Sequence, residues 1–136
     1  MTVTHTLVDT NVLVDVIDAD PVWMDWSRDA LEVAGKSGHL MVNQVIYGEL
    51  SVGFPSITAL DEALGEADIL KVEMPWSAAY LAGKAFLDYR RRGGKKTVPL
   101  PDFFIGAHAA VQKYRLLTRD AARYRTYFPT VDIVAP

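Results

Sequence analysis

Eight residues, TLVDTNVL from Thr6 to Leu13, constrain the fold more than any other stretch of the chain. Thr6, Leu7 and Val8 read as a short buried strand. It stops at an acid, Asp9, and two small polar residues, Thr10 and Asn11, follow. Apolar residues resume at Val12, Leu13, Val16 and Ile17 with a spacing close to that of a helix face. In α/β proteins, ligands bind beyond the carboxyl ends of such strands. Asp9 is therefore either a cap for the next helix or an acid presented for chemistry, and this stretch alone favours the cap.

The rest of the chain repeats the alternation. Asp20-Pro21 predicts a helix start, with Trp23, Trp26, Ala30 and Ala34 on one face and Gly35 to Gly38 at its end. Leu40 to Val42 reads as a second strand, and Asn43 as a cap for a helical segment that carries Glu49 and reaches Phe54. Thr58 to Ala67 predicts another helix and Ile69 to Met74 a third strand. Ser77 is placed to cap a helix marked by Ala78, Ala82, Ala85, Phe86 and Tyr89. A basic turn follows, and PDFFIGAHAAVQKY starts a helix at Asp102. Arg115 to Thr118 form a fourth strand, the residues to Tyr127 a short helix, and Val131, Ile133 and Val134 a last strand. Strands alternating with helices predict an α/β/α sandwich with a short, mainly parallel central sheet. At 136 residues, a single domain spanning 1–136 is expected.

Composition narrows the chemistry. The chain has no cysteine, which excludes disulfides, thiolate metal sites and cysteine nucleophiles. Its formal net charge is −3, so no global basic field attracts nucleic acid, and such binding needs a local patch or a bound cation. The three histidines, His5, His39 and His108, are scattered, and His108 reads as packing on its helix. No signal segment or long apolar run stands out, so a soluble, cytoplasmic protein with no membrane segment is the expectation.

The acids form a pattern. Asp9 follows the first strand and Asp120 the fourth, so a parallel sheet delivers both to the same edge. Asp102 opens the helix before the fourth strand, which returns its amino end to that edge. Glu49 lies among Tyr47, Leu50 and Val52, an awkward place for an isolated charge. Singly, Asp9, Asp102 and Asp120 each suit a helix cap, and Glu49 suits a buried ion pair. Four carboxylates in one cleft would repel one another and raise at least one pKa, a conflict that a divalent cation removes. Mg²⁺ or Mn²⁺ suits such oxygen donors.

VDTNVL from Val8, Glu49 in YGEL, PDFFIGAHA from Pro101 and LLTRD ending at Asp120 together resemble PIN-domain proteins, with the closest likeness to VapC-type toxins of toxin–antitoxin pairs. The likeness spans essentially the whole chain, with the four segments in the family's order. It implies a PIN-like fold and an Mg²⁺- or Mn²⁺-dependent ribonuclease. Asp9, Glu49, Asp102 and Asp120 match the family's acidic positions, with Asp9 and Asp102 as first choices for metal ligands. Asn11 and Thr118 match its small polar positions, holding water or a carboxylate. It also implies a cognate antitoxin and a homodimer as partners, besides RNA.

The basic cluster Arg90, Arg91, Arg92, Lys95 and Lys96 has two readings, a phosphate-contacting lip beside Asp102 or a solvated helix end. Two other functions stay open on sequence alone. Asp9 suits the nucleophile of a haloacid-dehalogenase-like phosphotransferase, although Asn11 stands where that family expects a second acid. A non-catalytic RNA- or protein-binding module is the other.

Overall fold

The computed structural model describes residues 2–136. Thr6–Val8 form β1, Thr10–Ile17 α1, Met24–Gly35 α2, Leu40–Val42 β2, Gln44–Ser51 α3 and Ile57–Glu66 α4. Ile69–Lys71 form β3, Trp76–Arg91 α5, Pro101–Gln112 α6, Arg115–Leu117 β4, Ala122–Tyr127 α7 and Ile133–Val134 β5. The strands pair in parallel throughout, in the order β3-β2-β1-β4-β5, and the helices flank the sheet as an α/β/α sandwich.

Why these short runs become strands is a matter of burial. Thr6, Leu7 and Val8 are completely buried, as are Leu116 and Leu117. A parallel strand covered on both faces needs apolar residues at successive positions, not alternate ones. Thr6, the polar exception, accepts a hydrogen bond on its hydroxyl from Arg115 Nε at 3.1 Å. Leaving β1 on one side, the chain builds β2 and β3; it then crosses back to place β4 and β5 on the other side. The crevice at the carboxyl ends of β1 and β4 is thus the point where strand order reverses, the usual ligand position in such sheets.

Several boundaries differ from the sequence reading, each for a local reason. Asp20 does not start a helix at Pro21. Its Oδ1 accepts from the N–H groups of Val22 and Trp23, closing a turn that delays α2 to Met24. The α4 cap is Ser56, whose Oγ accepts from Ala59 N, so the helix begins before Thr58. Pro75, not Ser77, occupies the cap position of α5. The third strand ends at Lys71, short of Met74. Asn43 does cap α3, accepting from Ile46 N at 3.0 Å, and its amide lies 3.1 Å from Nδ1 of the fully buried His108.

Helix α6 is buried along Phe103, Ile105, Gly106, Ala107, His108 and Ala109, between the sheet and its neighbours α5 and α7. Gly106 is what lets Phe128 lie against it, because a Cβ at this position would fall 2.4 Å from the Phe128 ring. Gly83, at an exposed position of α5, meets no atom within 4 Å of such a Cβ. Gly106→Ala is therefore expected to destabilise the fold by about 1–3 kcal/mol through overpacking. Gly83→Ala should stabilise it by about 0.5–1 kcal/mol through lost chain entropy. Urea unfolding midpoints of the two variants check the opposite signs.

Candidate active site

The site starts from strand register. Val8 pairs with Leu117, so the residues that follow, Asp9 and Thr118, emerge side by side, tied by Asp9 N–H donating to Leu117 O at 2.9 Å. Asp9 ends the strand and caps α1 with one oxygen, Oδ1, which accepts from Thr10 N at 2.8 Å. The other oxygen, Oδ2, accepts from Thr118 Oγ1 at 2.8 Å and from the Tyr124 hydroxyl at 2.9 Å. The cap and the presented acid are thus one residue using two oxygens.

Asp9 is only 6% exposed. Burial is the largest influence on it and pushes its carboxyl up from 3.8 to about 6, with the charge of Asp102 adding to the rise; the hydrogen bonds from Thr118, Tyr124 and Thr10 pull the other way. Tyr124 is buried between the two acids, with its hydroxyl 3.5 Å from Asp102 Oδ1. Desolvation first, then the charges of Asp9 and Asp102, hold its phenol well above the usual range, so it stays a donor. Asp102 sits in the first turn of α6, where Pro101 is the first helical residue and Leu100 occupies the cap. It is not a cap. Its carboxylate meets α7 instead, through Tyr124 and through Arg123 Nη1 at 3.1 Å from Oδ2.

The two remaining acids reach this pair only through threonines. Glu49 is exposed on α3, which removes the burial conflict expected from its apolar neighbours; its Oε1 accepts from Thr10 Oγ1 at 2.7 Å. Thr10, whose N–H donates to Asp9, thus links Glu49 to the acid pair. Asp120 is exposed as well and is not the cap of α7, a position held by Ala121. It joins the set through its backbone, its N–H donating to Thr118 Oγ1 at 3.1 Å. Thr118 is therefore a relay, accepting from the Asp120 turn and donating to Asp9.

Asn11 holds backbone in this structure. Its Oδ1 accepts from Arg119 N at 3.2 Å, fixing the turn between Thr118 and Asp120. That turn has a second anchor, Asp15, buried to 2% exposure and gripped by Arg119 through Nε at 2.9 Å and Nη2 at 3.0 Å. Ser27 Oγ donates to the same carboxylate at 2.7 Å. Sequence reasoning passed over Asp15, Arg119, Arg123 and Tyr124. A signal existed for Asp15, an acid on the helix stripe of Val12 and Val16; for the α7 pair, nothing short of the tertiary structure brings them to the acids.

The basic cluster divides. Arg92 pairs with Asp88 at 3.0 Å and lies over the Tyr127 ring, and Arg90 donates to Lys96 O at 2.6 Å, closing the turn. Gly94 packs its backbone on the Tyr89 ring, where a Cβ would come within 2.3 Å. Arg91, Lys95 and Lys96 are exposed.

Could these donors hold a cation? Among the described residues, no three acidic or histidine side chains are gathered as a finished metal cage. What the structure does bring together is one oxygen-only pair, Asp9 and Asp102, sharing a single hydroxyl. Small hard divalent ions bind in that manner, with one or two carboxylates and retained waters. The donor set fits.

The comparisons with known proteins identify the family and the fold. The PIN domain family profile matches residues 6–129, and the chain belongs to the PIN-domain family. Solved structures with the same fold include VapBC2 from Rickettsia felis bound to a DNA fragment from its promoter, with 17% identity, a TM-score of 0.75, and coverage of 98% of this chain and 99% of that one. VapBC-1 from nontypeable Haemophilus influenzae superposes with 14% identity, a TM-score of 0.73, and 97% and 98% coverage. VapC20 from Mycobacterium tuberculosis, a toxin that cleaves the sarcin–ricin loop, does so with 15% identity, a TM-score of 0.60, and 89% and 94% coverage. No curated protein matches the sequence. Among the described residues, no helix is long and apolar enough to cross a membrane.

The raised Asp9 pKa has a signed consequence for stability. Between about pH 4 and 6 the folded protein binds more protons than the unfolded chain, so this group lowers stability as pH rises, by up to roughly 3 kcal/mol above pH 6. Asp9→Asn removes that slope. In EDTA, the urea midpoint of Asp9→Asn is expected to exceed that of the wild type at pH 7.5 and to match it near pH 4.

Proposed function

We propose that the protein is the toxin component of a toxin–antitoxin pair, a ribonuclease that hydrolyses RNA phosphodiesters with a bound Mg²⁺ or Mn²⁺. The observation that carries the reading is the pairing of Asp9 with Asp102 across the Tyr124 hydroxyl, at the strand-order reversal of a PIN domain. Membership in the family supports nuclease chemistry. The structural neighbours, among them a toxin that cleaves the sarcin–ricin loop and complexes of toxin with antitoxin, support the toxin assignment and a cognate antitoxin; a homodimer is part of the same proposal.

Asp9 and Asp102 would hold the cation directly. When bound, the ion supplies a polarised water and compensates charge on the attacked phosphate. The side chains do the rest. Thr118 and Tyr124 fix Asp9 so that its carboxylate cannot rotate away from Asp102. Glu49, tethered by Thr10, and Asp120, tethered by Thr118, stand on either side to orient water or to accept its proton. Three donors already occupy the Asp9 oxygens, which suits a held ligand better than an attacking nucleophile. Arg91, Lys95 and Lys96 would track the RNA backbone, with Arg90 and Arg92 shaping the turn that presents them.

Asp9→Asn and Asp102→Asn are each expected to lower metal-dependent cleavage of RNA by about 100-fold or more. Gel analysis of a labelled RNA in Mg²⁺, Mn²⁺ and EDTA checks this, and undiminished cleavage by either variant would sink the reading. Charge reversal at Arg91 and Lys95 should weaken RNA binding and flatten its dependence on salt, measured by fluorescence anisotropy from 50 to 300 mM KCl. Unchanged binding would return the cluster to a solvated helix end.

A further inference from the structure

Arg123 already supplies a cation to the acid pair. Its Nη1 lies 3.1 Å from Asp102 Oδ2, and each side chain is 37% exposed. Its guanidinium lies 5.9 Å from the ring centres of both Tyr89 and Phe103. A guanidinium is a permanent charge with five N–H donors, and the contact with Asp102 uses one of them. Tyr89 also joins this arginine to the basic turn, for its hydroxyl accepts from Lys96 N at 3.4 Å. Arg123 thus stands between the exposed cations and the acids, stacked on a rigid aromatic wall.

Two cations compete for one carboxylate. A divalent ion taking Asp102 as ligand would sit within a few ångströms of the guanidinium, where like charges repel, and the half-exposed ion pair is weak enough to yield. The released fork has the geometry to grip two oxygens of a phosphate. We infer that Arg123 is a place-holding cation, neutralising Asp102 in the metal-free protein and passing to an RNA phosphate once a divalent ion binds the acid pair. The inference rests on the metal-dependent nuclease reading of the site. It gives the residue opposite effects on its two ligands: it opposes the metal and supports the RNA.

The test uses the full chain and measures binding, with Mn²⁺ as the metal probe and a fluorescein-labelled single-stranded RNA dodecamer as the nucleic-acid probe. Free Mn²⁺ is followed by electron paramagnetic resonance in wild type, Arg123→Gln and Arg125→Gln, the last a control on the exposed face of the same helix. Arg123→Gln is expected to bind Mn²⁺ about two- to five-fold more tightly than the wild type, with Arg125→Gln unchanged. RNA affinity, from stopped-flow anisotropy amplitudes collected before cleavage, should fall about three- to ten-fold in Arg123→Gln when Mn²⁺ is bound and hardly change in EDTA. Arg123→Lys, which keeps the charge but loses the fork, should fall between. Equal Mn²⁺ affinity in wild type and Arg123→Gln, or an equal loss of RNA affinity with and without Mn²⁺, overturns the inference and leaves the nuclease reading standing. Failure of the wild type to bind Mn²⁺ overturns both.

Discussion

A carboxylate that the fold forces into a dry position organises this molecule. Asp9 follows the central, fully buried strand β1, and beside β4 it keeps only 6% of its surface exposed. An acid in such a place is costly unless its oxygens are satisfied. Thr10, Thr118 and Tyr124 satisfy them, and each donor belongs to a different part of the chain: the start of α1, the end of β4 and the short helix α7. Their convergence explains why the crevice is where it is. It also explains the raised pKa, since hydrogen bonds offset only part of the burial and Asp102 adds a second negative charge.

From that constraint the remaining site follows in shells. Thr118 is needed as a donor to Asp9, so the turn carrying Asp120 must be held still, and Asn11 and the Asp15–Arg119 pair hold it. Removing one partner of such a buried pair leaves an uncompensated charge, which makes Asp15 and Arg119 structural dependants of the site as well as of the core. Helix α7 closes the other side. Its successive residues Arg123 and Tyr124 divide the labour, the tyrosine joining both acids from the interior and the arginine reaching Asp102 from the solvent side. The carboxylates are therefore preorganised by neutral donors and one cation, which is the arrangement a metal-binding pair needs if it is to persist without metal.

Much of this was legible in the sequence, for physical reasons that differ by element. The strands could be found because strands buried on both faces are short, uninterrupted apolar runs, as TLV and LMV are. Asp9 and Asp120 stood out because each follows a strand, and Asp102 because it opens the helix that precedes the fourth strand; a parallel sheet sends all three to one edge. Glu49 was found for a poor reason: its apolar neighbours suggested burial, yet the side chain is exposed and held by Thr10. The start at Thr58 was misplaced because Ser56 competes with it and meets the Ala59 N–H. At Asp20 the carboxylate closes a turn before the helix, and at Ser77 the helix begins behind Pro75 with no side-chain cap. Tyr124 and Arg123 had no sequence signal at all. Helix α7 is six residues long, too short for periodicity to speak, and its role exists only in the contact with α6 and β1.

If Asp9 holds a divalent cation, as proposed, the bound ion should offset the cost of keeping this buried carboxylate charged. Thermal melts in metal-stripped buffer at pH 7.5, with MnCl₂ added in steps, address this directly. The wild type is predicted to gain about 5 °C or more at a hundredfold excess of Mn²⁺ over its dissociation constant, while Asp9→Asn gains little. An equal gain in both proteins, or none in the wild type, would contradict the account.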